Sequence, residues 1–351
     1  MPLDLPDDQR EAFLRTADAP PVVLDLLGLM TAHAVVTALR LGVFDALADG
    51  PCPAAELAGR IGADPYGLAV LLDTLTEVGY LESAGDAYAN TPAAARWLAG
   101  GGHWGAVLSL WVAMVQGQWS DLEHSVRTGT PAAGFYPWLD RNPAERERFH
   151  DLQRGLATGL AAEVVELADL PDGARSLLDV GGGEANYSIA FCARHPELTA
   201  TVLDRPSVGP AGKERIAAAG LADRIAMRDA DLTDGLGERG YDAVDVVLLG
   251  NVVHGFAPER ARALVAESVR ALRPGGLLLL LETADRPHDD SVPLTERAFN
   301  RFFDLHLWHT QAGRVYPVPT LVDWLTEAGC TSVRRTDLPR HPSHTLLAAT
   351  R

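Results

Sequence analysis

In the C-terminal half of the chain, apolar runs of strand length alternate with stretches whose apolar positions repeat every three to four residues. "SLLDV", "TATVLD", "DAVDVVLL" and "GLLLLLE" are near-continuous apolar runs. A strand with one wet face alternates apolar and polar residues, so continuous runs predict strands buried on both faces. Between them, "YSIAFCARH", "PAGKERIAAAG" and "PERARALVAESVRAL" space their apolar residues as one face of a helix. This alternation predicts an α/β domain with a doubly wound parallel sheet. "TSVRRTDLP" and "SHTLLAAT" add a hairpin at the sheet edge.

The N-terminal half reads differently. From about Asp18 to Leu98 the pattern is helical, punctuated by "DGPCP", "GADP" and "NTP". Two short helices, a Gly-Asp turn and strand-like flanks within residues 52–92 predict a winged helix. Its second helix, "PYGLAVLLDTLTEVGY", carries no Lys or Arg and is poorly suited to lie against phosphates. The module therefore reads as a dimerisation element. Residues 102–170 continue as helices containing Trp104, Trp111, Trp119 and Trp138, which pack a core or line a pocket for an aromatic or apolar substrate. The expected division is residues 1–165 and 166–351.

Composition narrows the partners. The 351 residues have a formal net charge of −17, and Lys213 is the only lysine, so the chain repels nucleic acid on average. Cys52, Cys192 and Cys330 are far apart and odd in number, which indicates neither a disulfide framework nor a thiolate zinc site. The opening "MPLDLPDDQR" is acidic where a signal peptide is basic and then apolar. The longest apolar stretch, "LLGLMTAHAVVTALRLGVF", is interrupted by His33 and Arg40, so no membrane span and a cytoplasmic location are expected.

Chemistry concentrates in "LLDVGGGEANYSIA". In an open parallel sheet a ligand sits beyond the carboxyl ends of the strands, where Gly181, Gly182 and Gly183 follow the first strand. A dinucleotide loop reads G-x-G-x-x-G, but the third position is Asn186, and Glu184 would set an anion beside a pyrophosphate. Both features favour a nucleoside cofactor with no phosphate and a positive sulfur. Asp204 closes the second strand, where an acid accepts from both ribose hydroxyls, in NAD and S-adenosylmethionine alike. Asp231 follows the third strand region and is placed to meet an adenine amino group.

With the glycine loop, Asp204, "NVVHGF", "LRPGG" and "LLETAD" in order behind a winged helix, the chain resembles the S-adenosylmethionine-dependent small-molecule O-methyltransferases. These are the plant caffeic-acid and acetylserotonin type, with bacterial relatives in natural-product tailoring. The resemblance implies a Rossmann-like class I methyltransferase domain, an intertwined homodimer and methyl transfer to a small secondary metabolite. It assigns His254 as general base and Glu282 as the acid orienting its imidazole. The cofactor residues it implies are Asp179, Gly181, Gly182, Gly183, Asp204, Arg205, Asp231, Leu232 and Asn251. Trp119, His306 and Trp308 fall on the acceptor side. Three places depart from the family pattern: Gly255 follows the histidine where aspartate is usual, Val315 replaces a second glutamate, and Ala185 and Asn186 replace small residues of the glycine loop.

Other readings stay open at this level. His306 and His309 share a helix face, and with His254 and Glu282 they supply ligands for a divalent metal in carbon methylation of a 2-oxo acid; otherwise His306 lines the pocket and His309 faces solvent. A methyltransferase fold that has lost methyl transfer, and a DNA-binding regulator, are the remaining alternatives. A hydroxyl acceptor is expected from the family; carbon and nitrogen stay open.

Overall fold

A computed structural model describes residues 5–101, 103–132, 134–236, 243–283 and 293–351. The chain divides into two compact units, one running to Ser120 and including Ala144–Leu152, the other comprising Asp121–Pro143 and Gln153–Arg351. The long helix Pro143–Leu167 thus contributes residues to both.

In the first unit, the strands β1 (Cys52–Pro53), β2 (Leu81–Ala84) and β3 (Ala87–Asn90) form an antiparallel sheet in the order β1-β3-β2. The helices Ala54–Ile61 and Pro65–Glu77 precede the β2–β3 hairpin, which completes a winged helix. Local chemistry fixes the junction of the two helices. Gly62 ends the first in the left-handed region (φ 70°), the Asp64 carboxylate caps the second by accepting from Gly67 N at 2.8 Å, and Pro65 takes the first helical position. Phe44, Leu57, Leu72 and Leu75 fill the core of this unit. The helix Val22–Leu41 leaves Leu26, Leu29 and Met30 more than half exposed.

The second unit is built on a seven-stranded sheet of β4 (Ser176–Val180), β5 (Thr199–Asp204), β6 (Ile225–Asp229), β7 (Val244–Gly250), β8 (Leu272–Thr283), β9 (Ser332–Asp337) and β10 (His344–Thr350). Their order is β6-β5-β4-β7-β8-β10-β9, and among them β10 alone runs opposite to the others. The C-terminal hairpin therefore lies at the sheet edge, with β9 outermost. Leu177, Val246, Leu279 and Leu281 pack on one face, and Leu178, Val247, Leu278 and Leu280 on the other. Both faces being dry is the reason these strands read as continuous apolar runs. Strand order reverses between β5 and β7 on either side of β4, so the carboxyl ends of these strands flank a crevice.

Candidate active site

The glycine loop leaves β4 into that crevice. Gly181 (φ 69°) donates its N–H to Leu203 O at 2.8 Å, and a side chain on it would run into Val252. Gly182 covers the Asp179 carboxyl, which a Cβ there would strike. Beside Gly183 (φ 57°) there is open space, and its N–H donates to Asp204 Oδ2 at 2.8 Å. Ala185 holds the same left-handed geometry at φ 66°. The loop is thus a cradle that side chains would fill, with a carboxylate at its rim, and it suits a cationic nucleoside.

Two acids behave unlike the sequence reading. Asp179 is completely buried; Ser188 Oγ donates to its Oδ2 at 2.7 Å, and burial pushes its carboxyl up to about 7. Its carboxyl lies directly beneath Gly182 in the loop. Glu184 does not project an anion at the cofactor: it is buried, held by Arg154 through two bonds of 2.7 and 3.2 Å, with Arg215 Nε at 3.7 Å. An anion at a helix start would otherwise add charge to the crevice, but these arginines offset it.

Asp231 lies exposed beyond β6, with Oδ1 accepting from Thr233 N and Oγ, and those bonds hold its carboxyl below the usual range. Leu232 is buried, with its Cδ1 in contact range of a side chain at Gly181. Arg260 Nε donates to Leu232 O at 2.7 Å while its guanidinium pairs with Glu267, which also accepts from Leu236 N. Asn251 takes a left-handed φ of 56° after β7, donates its N–H to Leu281 O, and buries an Oδ1 that has no partner among the described residues. Arg205, next to Asp204, stacks its guanidinium on the Tyr136 ring with Cζ 3.7 Å from the centroid.

His254 sits in the short helical turn Val253–Gly255 after β7. Glu282, near the end of β8 and 3% exposed, grips this turn twice. Its Oε2 lies 2.5 Å from His254 Nδ1, and its Oε1 accepts from the N–H groups of Val252, Val253 and His254 at 3.1, 2.7 and 3.3 Å. One carboxylate therefore fixes both the backbone and the ring. With Nδ1–H donating to Oε2, the ring's Nε2 is left without a proton, as a base requires. From the other side, Arg314 N donates to His254 O at 3.0 Å, and Gly313 comes so close to that carbonyl that a side chain would collide. The Phe303 ring meets the imidazole edge-on at 5.5 Å between centroids.

The helix Leu294–Gln311 forms the opposite wall. His306, 2% exposed, meets Phe135 edge-on at 5.9 Å, and burial pushes its pKa down to about 4, so it is neutral. Trp308 is half-buried on the same helix. His309 does not face solvent: it is fully buried, with Nδ1 3.0 Å from Ser125 Oγ. Among the described residues no group of three or more His, Cys, Asp or Glu side chains is placed to hold a metal, so His254, Glu282, His306 and His309 do not assemble as one ligand set. Trp119 opens the short helical turn Trp119–Asp121, at the end of the first unit.

The departures at Gly255 and Val315 have local causes. A Cβ at Gly255 would press on Gln311 Oε1 at 3.3 Å. Val315 is buried, and its N–H and the Arg314 guanidinium occupy the Asp304 carboxylate in bonds of 2.8 Å.

The O-methyltransferase domain model matches residues 111–329, and the O-methyltransferase dimerisation domain model matches residues 25–100. The chain belongs to the O-methyltransferase family. It is 33% identical over 321 residues, 90% of each chain, to 3-hydroxy-5-methyl-1-naphthoate 3-O-methyltransferase of Streptomyces sahachiroi. To the tetracenomycin polyketide synthesis 8-O-methyltransferase of Streptomyces glaucescens it is 31% identical, over 87% of this chain and 89% of that one. The mitomycin 7-O-methyltransferase structure superposes with a TM-score of 0.80 at 26% identity, covering 95% of this chain and 98% of the other. This O-methyltransferase is a homodimer that uses S-adenosyl-L-methionine to methylate a small molecule. The winged helix belongs to the dimerisation domain, which sets aside the regulator reading.

Proposed function

We propose that this enzyme methylates a hydroxyl on an aromatic, polyketide-type acceptor in the cytoplasm, with His254 as general base and Glu282 as the group that orients it. The observation that carries the reading is the double grip of Glu282 on His254 Nδ1 and on the turn below it. The naphthoate and tetracenomycin relatives support an aromatic acceptor, as does the Phe303 ring against the imidazole.

When bound, the cofactor supplies an electrophilic methyl group on a positively charged sulfur. In this reading the Gly181 to Gly183 backbone receives its amino-acid end, Asp204 its ribose hydroxyls and Asp231 its adenine amino group. Arg205, Leu232 and Asn251 complete the surround, with Asp179 supporting from below. Alignment of the acceptor and removal of one proton are the two tasks left to the protein. His254 Nε2 takes the acceptor's hydroxyl proton, Glu282 stabilises the resulting imidazolium, and His306 and Trp308 form the acceptor wall.

The test uses purified enzyme with S-adenosylmethionine and a panel of hydroxynaphthoates, read by mass spectrometry and by the position of the new methyl ether. Methylation of a ring hydroxyl that His254→Ala reduces about 10²- to 10⁴-fold, with cofactor affinity nearly unchanged, is the expected result. Full activity in that variant would remove the base assignment.

A further inference from the structure

The short helix Phe135–Arg141 is absorbed by neither the cofactor residues nor the base, yet its first turn touches both sides of the site. Tyr136 lies under the Arg205 guanidinium at 3.7 Å, closer than an incidental contact, and Arg205 directly follows the acid assigned to the ribose. Tyr136 keeps 39% of its surface exposed. Burial raises the pKa of its hydroxyl; Arg205 opposes the rise and the Asp204 charge adds to it, which places the phenol in the electrostatic reach of Asp204. Neighbouring Phe135 packs edge-on against both Tyr136 (5.3 Å) and His306 (5.9 Å). Just upstream, Ala132 N donates to His309 O at 2.9 Å, so the segment leading into the helix is tied to the acceptor wall.

We propose that Tyr136 and Arg205 form a latch over the nucleoside end of the cofactor site, held in place by the Phe135–His306 contact. The physical basis is simple. A guanidinium on an aromatic face is attracted by the ring's charge distribution, and that attraction strengthens as water is excluded. A cofactor seated at Asp204 excludes water there. The stack therefore tightens when the site is filled and must part before the cofactor or its demethylated product leaves. Most of its effect falls on the dissociation rate, as is usual when an interaction is made after docking.

The inference rests on the placement of the ribose at Asp204, so the experiment separates the two. S-adenosylhomocysteine binding to the full-length dimer is measured by calorimetry and its dissociation by stopped-flow tryptophan fluorescence. The variants are Tyr136→Ala, Tyr136→Phe, Arg205→Ala, the double Tyr136→Ala/Arg205→Ala, and Asp204→Ala as a control. The latch requires Tyr136→Ala to dissociate about tenfold faster, Tyr136→Phe to behave like the parent because the ring is kept, and the double variant to be little worse than either single one. An unchanged rate in Tyr136→Ala, equal damage in Tyr136→Ala and Tyr136→Phe, or additive losses in the double variant would overturn it. If Asp204→Ala weakens binding while Tyr136→Ala does not, the latch alone fails; if Asp204→Ala also binds normally, the ribose placement fails with it.

Discussion

Glu282 shows how much one side chain can hold. It accepts from three backbone N–H groups and one ring nitrogen, so its substitutions affect structure and chemistry together. Glu282→Gln keeps the shape of the carboxylate but gives the ring a neutral partner. We expect turnover to fall about 10- to 100-fold with the protein folded, read as kcat against the circular dichroism melt. His306 and His344 carry a different prediction. Burial pushes each pKa from 6.5 to about 4 in the folded protein. Between those values the unfolded chain binds protons that the native one refuses, so their stabilising contribution is complete above about pH 6.5 and is lost as pH falls toward 4. Urea midpoints taken at pH 7 and pH 5 should drop at the lower pH, and His344→Gln should reduce that drop.

At the scale of elements, the strands and the glycine loop were legible because burial on both faces leaves an unmistakable run of apolar letters, and a left-handed turn leaves glycine. The contact between His254 and Glu282 is legible through their order along the chain and its resemblance to a family. What holds the loops was not. Glu184 meets Arg154 and Arg215, and Leu232 meets Arg260, by contacts that span about 30 residues of sequence and carry no local signature. The same blindness turned Glu184 into a free anion and sent His309 to the solvent. These ties give a prediction at their own scale. Arg154→Ala leaves a buried carboxylate with one partner and should cost about 2 kcal/mol of unfolding free energy, less than for a fully enclosed pair because Arg154 is partly exposed. Urea denaturation measures it, and cofactor affinity should fall in parallel because the carboxylate anchors the glycine loop.

For the whole molecule, the helix Val22–Leu41 is the one described helix with the length and hydropathy of a membrane span, and only 22% of that stretch is buried within the chain. It falls largely inside the dimerisation domain, residues 25–100. An exposed apolar row of Leu26, Leu29 and Met30 is costly in water, and its place in the dimerisation domain leads us to expect a second copy of the chain against it. Leu29→Glu should therefore lower the sedimentation mass toward that of one chain without unfolding the second unit, whose core lies elsewhere.

Chemistry and selectivity are carried by separate pieces that meet at a narrow seam. In the proposed mechanism the base stands in the turn after β7 and the acid that orients it on β8, the proposed acceptor wall is the helix Leu294–Gln311, and Gly313 and Arg314 join that helix to the His254 carbonyl. For anyone grafting segments between relatives, this marks where to cut: a transplanted wall that brings its own Asp304, Gly313 and Arg314 equivalents inherits a working base, whereas a splice between them leaves the imidazole unmoored.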